Sequence, residues 1–442
     1  MRRAGRIGTH WLIRTAAVVT GAATVSLLAP IAAQASWTPA VTMTANRWEG
    51  EAPPAVAVDR YGDTLLAWAA INENGQNGYP CYHQIQLRIR SRSGKLGPIK
   101  TLTPCGPEMD WPAAAIDDRG DGVVAWVHND NLAVEARRVS RTGKLGPVLT
   151  LTPKGDGDYT TVRVAMSPTG DALVVWAGLQ NTSSSEVQAR YIAANGSLGP
   201  LRILGAGPLD QPSVVIGRNG TATVAWADQN FQRVVAKRLT PRHVSGLRVI
   251  MPTAANTTYG PPPIADDSSG DTVFAIGRTV LSGNQQPTYL EVRRWSRGGR
   301  LGSVRQLASK VADITLATDG TGDSVFAWTS YLNAARPTVL GRRVSRTGAL
   351  GGVVKLGFGQ LPAITVDPAG AGLVAWQSMP SSSQITRLYA RPFAATTGKF
   401  RAQFTLSADG DHVRLAGSWA GKFAAIWQQS SAAWPIRARF GS

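Results

Sequence analysis

Beyond residue 36 the apolar positions never hold a three-to-four-residue period for long. They fall in short runs, often alternating with polar residues, and Gly, Pro, Asn and Asp close each run. That is a pattern of many short strands. One unit recurs: Pro, a short alternating run, Asp-x-x-Gly-Asp, an apolar run, then Trp. Its clearest copies are Pro54…Asp59-Arg60-Tyr61-Gly62-Asp63…Trp68 and Pro112…Asp117-Asp118-Arg119-Gly120-Asp121…Trp126. Further copies end at Trp176, Trp226, Ile276, Trp328, Trp376 and Trp427, with spacings of 58, 50, 50, 50, 52, 48 and 51 residues. Eight repeats therefore fill almost all of the chain after Ala35, with Ile276 at the fifth Trp position.

Each repeat reads as four strands. Strand a follows the Pro (Ala55–Val58), and strand b follows the Gly-Asp turn (Thr64–Ala69). Strand c is an alternating segment ending in a cation (Val134–Val139). Strand d follows a Gly-x-Leu-Gly-Pro turn (Pro147–Leu151). Four strands per repeat of this length predict an all-β fold, a β-propeller of eight four-stranded blades. The ends are complementary: Trp37–Thr44 reads as a lone strand d, and Ile436–Phe440 as a strand c with no strand d after it. The N-terminal strand is expected to complete the last blade and leave no open edge. Strand alternation places the a–b and c–d turns on one face and the variable b–c and d–a connections on the other, the loop face.

Asp59, Asp117, Asp267, Asp319 and Asp367, with Ser167 in the same place, are expected to accept bonds from their own turn's amides, with Gly supplying the positive φ. This Asp-x-x-Gly turn resembles the Asp-box turn of sialidase propellers. The repeat is also similar to the tryptophan docking repeat of eight-bladed quinoprotein dehydrogenases. The chain departs from both: its Asp–Gly spacing is longer than the first pattern's, no Arg-Ile-Pro element is present, and the second family's adjacent cysteines are absent. The resemblance implies turn geometry and blade count, and carries over no active-site residues.

Residues 1–35 read as a signal peptide. The n-region holds Arg2, Arg3, Arg6 and Arg14, an apolar stretch runs over 16–33, and Ala33-Gln34-Ala35 precedes Ser36. The expectation is an exported, secreted protein whose single propeller domain spans 36–442 and holds no membrane span after cleavage. The formal charge is +18 over 442 residues, of which the first 35 contribute four. Only nine of the 46 basic residues are lysines. A basic surface favours anionic neighbours. Yet Arg88, Arg137, Arg190, Lys237, Arg293, Arg342, Arg391 and Arg439 fall at one place in strand c of every repeat. That recurrence reads as a structural contact, to the repeat Trp or the turn Asp, rather than as a polyanion site.

Candidate chemistry is sparse. Cys81 and Cys105 are the only cysteines; an even count in an exported chain points to a disulfide on the loop face. The histidines are scattered, and no metal spacing, nucleophile elbow or phosphate loop occurs. No cofactor is expected. Carboxylates and aromatics do gather in the d–a connections, just before strand a: Trp48, Glu51, Asp110, Trp111, Asp158, Tyr159, Asp210, Tyr259, Asp313 and Asp411. Strand a is innermost in a propeller, so these residues converge on the channel mouth. Flat aromatic faces beside hydrogen-bonding acids suit a sugar. The reading is a non-catalytic, monomeric propeller that binds a glycan, cell-wall polymer or protein partner through its loop face. The alternative is a glycoside hydrolase or lyase with paired carboxylates at the mouth.

Overall fold

The computed structural model describes residues 36–44, 48–50, 53–72, 83–104, 109–128, 132–152, 157–180, 184–207, 212–282, 286–333, 336–378, 385–418, 421–430 and 434–441. Residues 1–35, Glu51, Cys81, Cys105 and Asp210 lie outside them. The described chain folds into eight antiparallel sheets, one per repeat: an eight-bladed β-propeller. Blade 2 shows the plan, with strands a (Met109–Ile116), b (Gly122–His128), c (Ala133–Val139) and d (Leu145–Thr150) paired in order. Strand a is split in blades 1 and 5, and strand d in blades 4 and 7. In the last blade, Val41–Thr42 pairs antiparallel with Ile436–Gly441, and Trp37 bridges Gly441. The first strand thus completes the last blade, as its orphan character implied.

The alternation that predicted strands also builds the core. The seven repeat tryptophans and Ile276 are buried on strand b. Each points toward the preceding blade: Trp126 packs with Leu65, Ala67 and Leu87 of blade 1. The alternate strand-b residues of blade 2, Val123, Ala125 and Val127, pack with Trp176 of blade 3. Eight such clusters result, one between each pair of neighbours. Met43 joins the cluster that seals blade 8 to blade 1.

The Asp turns behave as the sequence implied. Asp59 Oδ1 accepts the N–H groups of Tyr61, Gly62 and Asp63 at 2.7–2.9 Å, and Gly62 has φ 97°. Asp319 makes the same set with Thr321, Gly322 and Asp323. The second acid ties this turn to the c–d turn on the same face: Asp63 accepts Arg92 N–H at 2.6 Å and Arg92 Nη2 at 2.8 Å. Burial alone would raise the Asp63 carboxyl, but the Arg92 hydrogen bonds and the Arg141 charge outweigh it and hold it below its usual range.

The recurring strand-c cation is structural, though its partners are neither the Trp nor the turn Asp. Arg137 donates from Nε to Gly146 O on its own strand d (2.6 Å) and from Nη1 to Leu102 O at the end of strand d in blade 1 (2.7 Å). Arg190, Arg342 and Arg439 repeat this on Leu151, Leu307 and Leu406. Each guanidinium is a clamp between blades. The next residue points the other way: Arg138 donates to Gly170 O and Ala193 O of blade 3, and Tyr191 donates to Leu239 O of blade 4.

Candidate functional site

The inner strands define the channel. The segments read as d–a connections prove to be the first part of strand a. Asp110 pairs with Val127, Asp158 with Leu179, Asp411 with Gln428, Trp48 with Asn72 and Tyr259 with Arg278. A β-bulge follows in blades 2, 3, 6, 7 and 8. In three consecutive blades the bulge puts a non-glycine residue in left-handed backbone: Asp313 (φ 49°), Leu361 (φ 52°) and His412 (φ 50°). Strain of this kind, repeated at one radius of one face, is a feature of binding and switching sites.

The side chains sort into two groups. Tyr159 and Tyr259 are 3% exposed and belong to the cores between blades 2 and 3 and between blades 4 and 5. Tyr259 OH donates to Pro252 O at 3.1 Å. Asp313 and Asp411 stay partly open. Asp313 Oδ2 accepts Leu361 N–H at 3.3 Å and so links the bulges of blades 6 and 7. Asp411 Oδ1 accepts His412 N–H at 2.7 Å and lies 3.5 Å from His412 Nδ1. Trp48, Asp110, Trp111 and Asp158 are placed by backbone only, on the innermost strands of blades 1, 2 and 3. Among the described residues, no cluster of three or more His, Cys, Asp or Glu side chains could hold a metal ion, and no helix is long and apolar enough to cross a membrane.

Three residues the sequence reading passed over stand out on this face. Trp434 is 51% exposed, Leu332 69% and Tyr331 38%. All come from b–c connections, and Tyr331 OH reaches Gln360 Oε1 at 3.4 Å, at the start of strand a in blade 7. Their signal was a large apolar side chain standing alone in a Ser-, Asn- or Ala-rich loop, as in Ser430-Ser431-Ala432-Ala433-Trp434.

The channel wall also carries charge. Asp266 ends strand a of blade 5 at a place that is Val58, Ile116, Met166 and Ile216 in blades 1 to 4. Burial pushes its carboxyl up to about 7, against the opposing pull of a Thr272 hydrogen bond and the Arg238 charge. Higher on the wall, strand a of blades 3 and 8 presents Arg163 and Arg414.

No family model matches the chain, and no curated protein does. Solved structures do overlay it, all at low identity. The polysaccharide lyase Uly1 is 9% identical with a TM-score of 0.53, covering 77% of this chain and 92% of its own. An oligogalacturonate lyase from Vibrio parahaemolyticus is 8% identical with a TM-score of 0.47, covering 92% and 96%. A Hadza microbial sialidase, Hz136, is 12% identical with a TM-score of 0.41, again covering 92% and 96%. This chain is similar to them in being a β-propeller, and to no one family of propellers.

Proposed function

We propose that the protein is exported and binds a saccharide on its loop face without transforming it. The observation that carries this is the exposed pair Trp434 and Tyr331, set on the face where eight inner strands converge. An aromatic face left in water on a rigid scaffold suits the apolar side of a pyranose ring, and nearby acids suit its hydroxyls. Asp313 is a described acid placed to do so, beside Tyr331's partner strand; Trp48, Asp110, Trp111, Asp158 and Asp411 share the rim by the backbone position of their inner strands. Asp313 and Asp411 each spend an oxygen on a backbone amide, which favours binding over acid–base catalysis. The overlay on a polysaccharide lyase makes saccharides the class to test first. The test is a glycan and wall-polymer array probed with residues 36–442, with cleavage products followed on every hit. Binding without products supports the proposal. Products from any hit would replace it with the hydrolase or lyase reading, and an empty array would contradict it.

A further inference from the structure

The face opposite the loops, built from the a–b and c–d turns, segregates its charge. Every a–b turn closes with the same bond, from the N–H of its first residue to the carbonyl four residues on: Asp59 to Asp63 in blade 1, Asp117 to Asp121 in blade 2, and so round to Ser418 and Lys422 in blade 8. Five c–d turns close likewise, from Ser91 and Lys95 in blade 1 to Ser345 and Ala349 in blade 6. One turn geometry repeated round the ring sets these turns at one height. Their carboxylates point inward. Asp59, Asp117, Asp267, Asp319 and Asp367 are buried in their own turns. Asp63, Asp121, Asp171, Asp271 and Asp323 each accept the second N–H of their own blade's c–d turn, that of Arg92, Arg141, Ala194, Arg297 and Arg346. The remaining acid, Asp118, sits half-buried against Arg60 at 3.5 Å.

The cations point outward. Lys95, Arg119 and Lys144 are exposed on blades 1 and 2, and Arg297, Arg300 and Arg346 on blades 5 and 6, across the ring from them. Arg242 and Lys399 carry exposed charge through blades 4 and 7. Among the described residues of these turns no acid is exposed, and none of the first six cations takes part in an ion pair. The bond that fixes a turn also draws the carboxylate in and leaves the flanking side chain outside, as at Arg297 and Arg346. Between adjacent c–d turns run grooves that set cations beside hydroxyls. One is lined by Lys95, Lys100, Arg141 and Thr142, and its counterpart four blades on by Arg305, Ser345, Arg346 and Thr347. That mix of donors suits phosphate oxygens. Among the described residues the turns expose two large apolar side chains, Tyr61 and Leu247, on blades 1 and 4. They form neither a wedge for hydrocarbon nor a stacking track for bases.

We propose that the turn face docks the protein electrostatically on a bilayer rich in anionic phospholipid, with headgroup phosphates between the turns. A plane meets the cations on all sides of a level ring at once, whereas a linear polyanion follows one arc of it. Each basic side chain held near such a surface multiplies binding by about fivefold, and the attraction fades within a Debye length. The loop face then points away from the lipid and stays open, so the docking is independent of what that face binds.

The test is co-sedimentation of residues 36–442, a ring closed by its own first strand, with vesicles of phosphatidylcholine alone or mixed equally with phosphatidylglycerol. The apolar stretch over 16–33 is left out because it would enter lipid by itself. Three triple variants each remove three positive charges: K95Q/R119Q/K144Q and R297Q/R300Q/R346Q from opposite arcs of the turn face, and K310Q/R336Q/R387Q from exposed positions of the loop face. All six turn-face side chains are exposed, so each variant should melt as the parent does. The parent should bind the anionic vesicles, leave the neutral ones, and be released as sodium chloride rises from about 50 to about 300 mM. Each turn-face variant should bind about tenfold or more weakly, and the loop-face variant as the parent does. No preference for anionic lipid overturns the proposal. So does equal weakening by all three variants, which is net charge alone, or weakening by only one turn-face arc, which is a local site. A parent that binds a polyphosphate chain or duplex DNA but no vesicle makes this face a linear-polyanion surface and overturns the membrane docking.

Discussion

Arginine does most of the joining between blades. A lysine at position 137 could meet Gly146 O or Leu102 O but not both with fixed geometry, because the ammonium lacks the planar fork. Arg137→Lys should therefore cost about 1–2 kcal/mol in urea unfolding; no loss would mean the clamp is ornamental. Asp266 makes a different prediction. Its carboxyl titrates near 7 when folded and near ~4 when unfolded. The folded state then holds the extra proton between these values, so stability is highest below about 4 and falls as pH rises to about 7. Asp266→Asn should stabilise the fold at pH 8 by on the order of 2 kcal/mol in urea unfolding, and change little at pH 4. A variant that gains nothing at pH 8 would contradict the buried placement.

Strands, blades and closure were legible because each has a local signature: alternation, Asp-x-x-Gly turns, and orphan strands at the two ends. The inner strand was only half legible. Pro112 and Pro362 looked like the start of strand a, since proline interrupts ladders. They sit instead in bulges, between Asp110 and Ala113 and between Gln360 and Ala363, where a missing N–H costs no ladder bond. Hence residues read as loop are paired strand, and Tyr159 and Tyr259 turn into the core. The clamp arginines were visible as a repeat, but their partners are backbone carbonyls of a neighbouring blade, and those depend on register. Two variants probe this level. Removing residues 36–44 uncovers the edge of blade 8 and the Met43 seal, and should give a protein that aggregates or melts far below the parent. Trp328→Ala should cost about 3–5 kcal/mol, since its indole is fully buried between blades 5 and 6. Near-parent melting in either would break the account of ring closure and inter-blade packing.

Over the whole ring, charge and function separate by position. Seven of the 46 basic residues, Arg88, Arg137, Arg190, Arg293, Arg342, Arg391 and Arg439, serve as backbone clamps between blades, so part of the basic composition is structural. The candidate site was legible as a place, because strand order fixes where inner strands converge. It was poorly legible as a set of side chains, because exposure of Trp434 and orientation of Arg163 are tertiary facts. The most direct measurement is the affinity of the best glycan-array hit for four proteins: the parent, Trp434→Ala, Tyr331→Ala and Tyr61→Ala. Tyr61 is equally exposed, at 44%, but stands on the opposite turn face beneath Arg60 and Arg92. The account predicts that Trp434→Ala and Tyr331→Ala each weaken binding about tenfold or more, as loss of a stacked ring does, while Tyr61→Ala binds as the parent does. Full affinity in both loop-face variants, or its loss in Tyr61→Ala alone, would contradict it.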